Sequence, residues 1–173
     1  MHSFFKFLNK HTFISLLTIF FLVVLDQFSK MWAESALKGG SDIVLLKGIL
    51  ELHYLENTGV AFSMFKGATG IFIALTIIIC LLLFAFFVQI PYKRHYMPLR
   101  IITIFLIAGA FGNLIDRMSN KYVIDFIYFS LINFPVFNLA DIYVTCSIFM
   151  LILLILFYYK DEDFDFLKLK NNG

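Results

Sequence analysis

Charge is what this chain has least of. Only 15% of its 173 residues are Asp, Glu, Lys or Arg, while 61% are hydrophobic and the mean hydropathy is +0.87. A soluble domain averages roughly 45–50% apolar and about 25% charged residues. The composition therefore excludes a soluble globular protein and indicates an integral membrane protein. A net charge of +2, scattered along the chain, excludes the basic footprint of a nucleic-acid binder. Cysteine is scarce as well: Cys80 and Cys146 both fall inside apolar runs, with no His or second Cys at ligand spacing beside either. Both read as buried thiols acting as small hydrophobes. His2, His11, His53 and His95 are too dispersed to form a metal centre, and neither metal nor cofactor is expected. The first apolar run also lacks a small-residue cleavage site, leading instead into Asp26 and Lys30, which is unlike a cleaved signal peptide.

Long apolar runs and aromatics are what remain. Phe alone occurs 23 times, as suits lipid-facing surfaces and interfacial belts. Four segments have the length needed to span a hydrocarbon core, about 20 residues at 1.5 Å each. They are predicted at about 13–32, 71–90, 99–117 and 136–159, within one membrane domain covering residues 1–173. The three prolines sit at the edges of these runs: Pro91 and Pro98 bracket the second connection, and Pro135 precedes the fourth helix. Lys6, Lys10, Lys93, Arg94, Arg100, Lys160, Lys168 and Lys170 lie on the side of the termini. Lys30, Lys38, Lys47, Lys66, Arg117 and Lys121 lie on the other, spread over far more sequence. This bias predicts both termini in the cytoplasm.

The first outer connection is too long for a plain link. Ile43-Val44-Leu45-Leu46 and Ile49 to Leu55 have strand-like composition and are separated by Lys47-Gly48, so a small β-rich insertion is predicted at about 40–66. The acidic stretch 161–165 reads as a solvated tail.

Against this apolar background the polar groups stand out. Asp125, within Val123-Ile124-Asp125-Phe126-Ile127, and Asp141, at the mouth of the fourth helix, are ionisable groups near membrane depth. Such groups are costly enough to be functional candidates by default. Two carboxylates flanking one short loop suggest acid/base chemistry at a membrane surface, although Asp141 can also serve as a helix-capping carboxylate. Asp26 and Lys30 stand four apart on one helical face, either as a neutralising pair or as support for a site above them. Gly109, Gly112, Asn113, Asp116 and Arg117 share a face of the third helix. The glycines permit close packing, and the polar residues must turn inward or toward water.

Taken together, five tracts resemble the lipoprotein signal peptidases (signal peptidase II), aspartic proteases of the bacterial inner membrane. They are Leu25-Asp26-Gln27-Phe28-Ser29-Lys30, Asn57-Thr58-Gly59-Val60-Ala61-Phe62, the run from Gly109 to Arg117, Val123-Ile124-Asp125-Phe126, and Phe137-Asn138-Leu139-Ala140-Asp141. The resemblance extends from helix 1 to helix 4; the first dozen residues and the stretch after Tyr159 carry none of it. It implies an all-α integral membrane fold of four transmembrane helices, with an extracytoplasmic β-cradle between helices 1 and 2. It further implies a catalytic pair Asp125 and Asp141, with substrate-contacting or site-shaping roles for Asn57, Gly59, Asn113, Arg117 and Asn138. Asp26, Lys30 and Asp116 would support the site, as would the packing glycines Gly109 and Gly112. The implied substrate is a prolipoprotein whose cysteine already carries diacylglycerol. It is cut just before that cysteine, near the extracytoplasmic face of the cell membrane, by an enzyme expected to act as a monomer among membrane lipid.

One alternative from the residues is a proton- or cation-coupled transporter using Asp26, Asp125 and Asp141 as relay groups. That reading expects carboxylates distributed across membrane depth and related halves. Here all three fall toward one side and no repeat is visible. A presenilin-like protease is the other alternative, but its Gly-x-Gly-Asp signature is absent.

Overall fold

The computed structural model describes residues 10–58 and 69–168. Four helices dominate: α1 (Lys10–Leu37), α2 (Thr69–Gln89), α3 (Met97–Ser119) and α4 (Leu139–Phe157). All four are long and apolar enough to cross a membrane. α1 runs beyond its predicted end at 32 because Ala33-Glu34-Ser35-Ala36-Leu37 contains strong helix formers. It stops where Gly39 takes φ +75°, a conformation open to glycine. α4 is shorter than predicted. Pro135 and the following two residues are not helical, and Phe137 instead bridges Ile127, so the helix starts only after Asn138.

α3 is the most buried helix, and α1, α2 and α4 pack around it. Leu22, Phe87, Ile104, Ile107, Ala108 and Tyr143 form the central cluster, while much of α2 and α4 faces outward with exposed Ile, Leu and Phe side chains. Between helices in lipid, close packing replaces the hydrophobic driving force, so small residues matter most where backbones approach. Gly109 and Gly112 mark those places. A Cβ on Gly109 would lie 2.6 Å from the Ala140 carbonyl oxygen and 2.8 Å from Val144 Cγ2, and one on Gly112 would collide with the Asp26 carboxylate.

The predicted insertion forms a hairpin, β1 (Ile43–Leu46) and β2 (Leu50–Asn57), turning at Gly48 with φ +71°. It is not self-contained. A third strand, β3 (Val123–Tyr128), leaves α3 and completes an antiparallel sheet in the order β1-β2-β3. Pairing of Asn57 with Val123 and of Leu55 with Asp125 fixes the register beside α3. β3 escaped the sequence reading because its apolar run shows no one-sided alternation: Val123, Ile124, Asp125 and Phe126 are all buried. Gly59 and residues 60–66 of the expected insertion lie outside the described residues.

Two further expectations change. The acidic stretch is no simple solvated tail: Asp161–Leu167 forms a 3-10 helix whose Phe164 and Phe166 pack with Phe86, Tyr96 and Tyr159 at the end of the bundle opposite the sheet. The alternation of acidic and aromatic residues there lets the rings dock while Asp161, Glu162 and Asp165 remain exposed. Cys80 is buried as expected, but Cys146 is exposed on the outer surface of α4, among exposed apolar neighbours such as Ile148, Phe149 and Met150.

The glycine contacts give a direct check. Gly109→Ala and Gly112→Ala are expected to destabilise the detergent-solubilised protein by about 1–3 kcal/mol each through overpacking. Gly70→Ala in α2, with nothing within 4 Å, should be neutral or slightly stabilising. Thermal unfolding of the three variants decides the point, and equal behaviour of all three would rule out the packing argument.

Candidate active site

The site grows from one buried ammonium group. Lys30 Nζ lies 2.8 Å from Asp26 Oδ2 and 3.0 Å from Asp116 Oδ2, joining α1 to α3. Both Lys30 and Asp26 are almost fully buried. One lysine cannot neutralise two carboxylates, and the remaining acceptor capacity is met by amides. Ala140 N, in the first turn of α4, donates to Asp26 Oδ1 at 2.9 Å, and Ile124 N, in β3, donates to Asp116 Oδ2 at 3.2 Å. Gln27 Nε2 donates to Asp116 Oδ1 at 2.9 Å and to Asp26 Oδ2 at 3.2 Å. The predicted Asp26–Lys30 pair is thus a triad that ties α1, α3, α4 and β3 together.

The same ammonium orients the next layer. Lys30 Nζ also donates to Asn113 Oδ1 at 2.9 Å. An ammonium offers only donors, so the oxygen of the Asn113 amide must face it and the NH2 must face away. That Nδ2 donates to Asp141 Oδ1 at 2.8 Å. Asn138 Nδ2 donates both to Asn113 Oδ1 at 3.1 Å and to Asp125 Oδ1 at 2.7 Å, and Asn57 Nδ2 reaches Asp125 Oδ2 at 2.8 Å. Three asparagines on three elements therefore hold two carboxylates on one patch.

Asp141 is held by helix chemistry. Asn138 is the N-cap of α4: its Oδ1 accepts from Asp141 N at 3.0 Å, while Asp141 Oδ2 accepts from Asn138 N at 3.1 Å. This reciprocal capping box leaves Asp141 half-buried at the helix N-terminus, where negative charge is favoured. Asp125 differs. It sits in β3 at 1% exposure, and burial pushes its carboxyl up to about 6. The Asn57 bond works against that rise, and the nearby Asp141 charge adds to it.

Asp26, Lys30, Gly109, Gly112, Asn113, Asp116, Arg117, Asp125, Asn138, Asp141 and Asn57 all converge on this end of the bundle. Arg117 is half-buried, donates to the Asn113 carbonyl at 3.4 Å, and has a guanidinium within electrostatic reach of Asp141 and Asp125. Asn138 was expected among the substrate contacts, but its side chain is fully buried and bonded through both amide atoms. Gln27 was given no role of its own. A neutral amide is unremarkable in sequence, and only its position between Asp26 and Lys30 hinted at membership. Among the described residues, no three His, Cys, Asp or Glu side chains converge as a metal-binding set.

Fold and site together define a four-helix, multi-pass membrane protein with two amide-held carboxylates at the sheet end of its bundle. A family model described as signal peptidase (SPase) II matches residues 18–157. Lipoprotein signal peptidases from Clostridium tetani (strain Massachusetts / E88) and Streptococcus pyogenes serotype M6 are 39% and 34% identical to this chain. Those matches cover 83% and 91% of the chain, and 90% and 99% of the relatives. A bacterial membrane enzyme solved by the in meso method at 1.9 Å superposes with a TM-score of 0.74 at 30% identity, covering 84% of this chain and 94% of that one. The chain belongs to the signal peptidase II family.

Two predictions follow from the geometry. Lys30→Met strands Asp26 and Asp116 as buried carboxylates and should destabilise the fold by about 3–5 kcal/mol, read as a lowered Tm. For Asp125, the rise from 3.8 to about 6 means that ionising it in the folded protein costs on the order of 3 kcal/mol. Because the folded state holds the proton more tightly than the unfolded chain, this contribution to stability is complete below about pH 4 and is lost as pH rises through about 6. Asp125→Asn should therefore gain in Tm relative to wild type between pH 4 and pH 7; a Tm difference that stays flat over that range would contradict the buried-carboxyl reading.

Proposed function

We propose that the protein is an aspartic endopeptidase of the bacterial cell membrane with Asp125 and Asp141 as its catalytic dyad. It removes the signal peptide from diacylglyceryl-modified prolipoproteins by cutting N-terminal to the lipidated cysteine. The single observation that carries this reading is the shared bracing: the Asn138 side chain holds Asp125 while its backbone N–H holds Asp141. Peptide hydrolysis that uses neither a metal nor a covalent nucleophile needs one group to take a proton from water as another gives one, and paired carboxylates can do both.

The two environments support a division of labour. Asp125, buried in the sheet, starts as the proton-carrying member. Asp141, at the helix N-terminus, starts as the carboxylate that deprotonates water. As water attacks the scissile carbonyl, Asp125 donates to the carbonyl oxygen; the roles then reverse to protonate the leaving amine. The pair titrates as a unit, so its apparent values belong to the dyad. Asn138 acts as a positioning residue, while Arg117, Asn113 and Asn57 stand beside the pair as the side chains that meet substrate backbone or developing negative charge. Gly59, expected beside Asn57, keeps the same assignment.

The density of Lys and Arg near both termini supports cytoplasmic ends, which puts the sheet and the dyad at the extracytoplasmic face. A diacylglyceryl cysteine keeps its acyl chains in the bilayer, so its scissile bond is presented near the interface, where this dyad lies. The chain is read as one membrane unit acting as a monomer on lipid-embedded substrate.

A gel-shift assay on a prolipoprotein with and without prior diacylglyceryl transfer tests the reading. Lipid-dependent cleavage should fall by at least about 10³-fold in Asp125→Asn and in Asp141→Asn, as befits loss of a reacting group, with both variants still folded. Activity retained by a folded Asp141→Asn protein would remove the dyad.

A further inference from the structure

Arg100 stands in the first turn of α3, at the end of the bundle opposite the sheet, and is only 5% exposed. Its Nη1 donates at 2.9 Å to the carbonyl of Ile90, just past the end of α2, where carbonyls lack intrahelical partners. Its Cζ lies over two rings, 4.4 Å from the centroid of Phe87 and 4.7 Å from that of Tyr92. Tyr92 is backed in turn by His11 of α1, with ring centroids 4.2 Å apart.

This setting holds the charge in place without neutralising it. Among the described residues no carboxylate pairs with Arg100. The sequence gives the reason: no Asp or Glu precedes Asp26, and none lies between Glu56 and Asp116. Of the acidic residues at this end of the bundle, Asp163 meets His95 and Asp165 meets Lys168, while Asp161 and Glu162 are exposed. Lys30, buried to a similar degree at the other end, sits between two carboxylates. A buried cation with no anion is costly, and a charge inside a membrane span marks a site by default. A guanidinium also carries five N–H donors, of which Ile90 takes one. The others are not sealed in. Among the described residues, the buried side-chain nitrogens and oxygens without a partner are His95 Nε2 and Ser130 Oγ, so Nε and Nη2 of Arg100 reach accessible space.

We infer that Arg100, with the Tyr92-Lys93-Arg94 connection, binds the phosphate of an anionic lipid headgroup, in the cytoplasmic leaflet by the orientation proposed above. The planar fork of an arginine matches two oxygens of a phosphate. Lys93 and Arg94 in the connection and Lys10 at the start of α1 are all exposed, which favours a headgroup of net negative charge. The surroundings favour a lipid over a free anion. Met97 and Ile101 on α3 and Val88 on α2 are exposed apolar side chains, and a phosphate that carries acyl chains covers them as it meets the guanidinium. No catalytic assignment enters this inference.

The test uses the full chain in dodecyl maltoside and reads Tm against added phosphatidylglycerol, phosphatidylcholine or inorganic phosphate. Phosphatidylglycerol should raise the wild-type value by about 3–5 °C near saturation. Phosphatidylcholine at the same mole fraction should give well under half of that, and millimolar inorganic phosphate none. Arg100→Gln should lose the phosphatidylglycerol increment, whatever its own baseline. Arg100→Lys, which keeps the charge but not the fork, should lose most of it, whereas Arg94→Gln should keep most of it. Equal increments from the two lipids would overturn the site. Equal losses in Arg94→Gln and Arg100→Lys would refute it as well, by tracing the effect to diffuse surface charge. A matching increment from inorganic phosphate would make free phosphate the ligand and defeat the lipid assignment. Should Arg100→Gln fail to fold, the comparison of Arg100→Lys with Arg94→Gln decides alone. Because turnover is never read, failure here leaves the peptidase reading standing.

Discussion

Everything at the sheet end of this protein depends on the buried Lys30 ammonium. Taking such a charge out of water is expensive, and it persists only where opposite charge and hydrogen bonds surround it. Here Asp26 comes from the same helix, and Asp116 and Asn113 come from α3. The carboxylates in turn bind backbone N–H groups at the start of α4 and in β3. Four separate elements thus have their relative positions set by one small polar core. Gly112 has no side chain because the Asp26 carboxylate occupies the space where a Cβ would stand. The packing and the electrostatics are therefore one constraint.

That constraint reaches the chemistry through amide orientation. An asparagine can turn either end toward a neighbour, and a site built from asparagines would be ambiguous without a group that fixes one end. Lys30 fixes Asn113, which then presents donors to Asp141 and an acceptor to Asn138. Asn138 in turn directs its donors at Asp125 while its oxygen caps α4. A chain of directed hydrogen bonds links a buried cation to both carboxylates. The ammonium sets the orientation of the two carboxylates in this way without touching either of them.

Much of this was legible because charge is conspicuous against an apolar sequence. The spans and the polar residues of α1 and α3 could all be picked out as anomalies in hydrophobic runs, and the structure gathers them. What was hidden lacked that contrast. β3 is a short apolar stretch whose partner strand lies more than 60 residues earlier in the chain. Its pairing is a long-range fact, and burial on both faces erased the alternation that would have marked it. Gln27 carries no charge, so its bridging bonds left no trace in composition. Phe164 and Phe166 were masked by the acidic residues between them, and Cys146 looked buried because an apolar run reads the same whether it faces protein or lipid.

The asymmetry between the two aspartates follows from the elements that carry them. A carboxylate at position N3 of a helix meets unsatisfied N–H groups and the positive end of the helix dipole, and Asp141 occupies that position. A carboxyl in a strand has no such field, because strand dipoles largely cancel. Asp125 has two asparagine amides to bind and a neighbouring aspartate to repel it. Four carboxylates, Asp26, Asp116, Asp125 and Asp141, share this end of the bundle with two nearby cations, Lys30 and Arg117. Full ionisation would leave an excess of negative charge in a poorly solvated place, which favours the protonated form of a buried carboxyl there. Burial, and after it the charge of Asp141, raise the proton affinity of Asp125 above that of an ordinary carboxylate. In the proposed mechanism the strand thereby supplies the acid of the pair, and the helix cap the base.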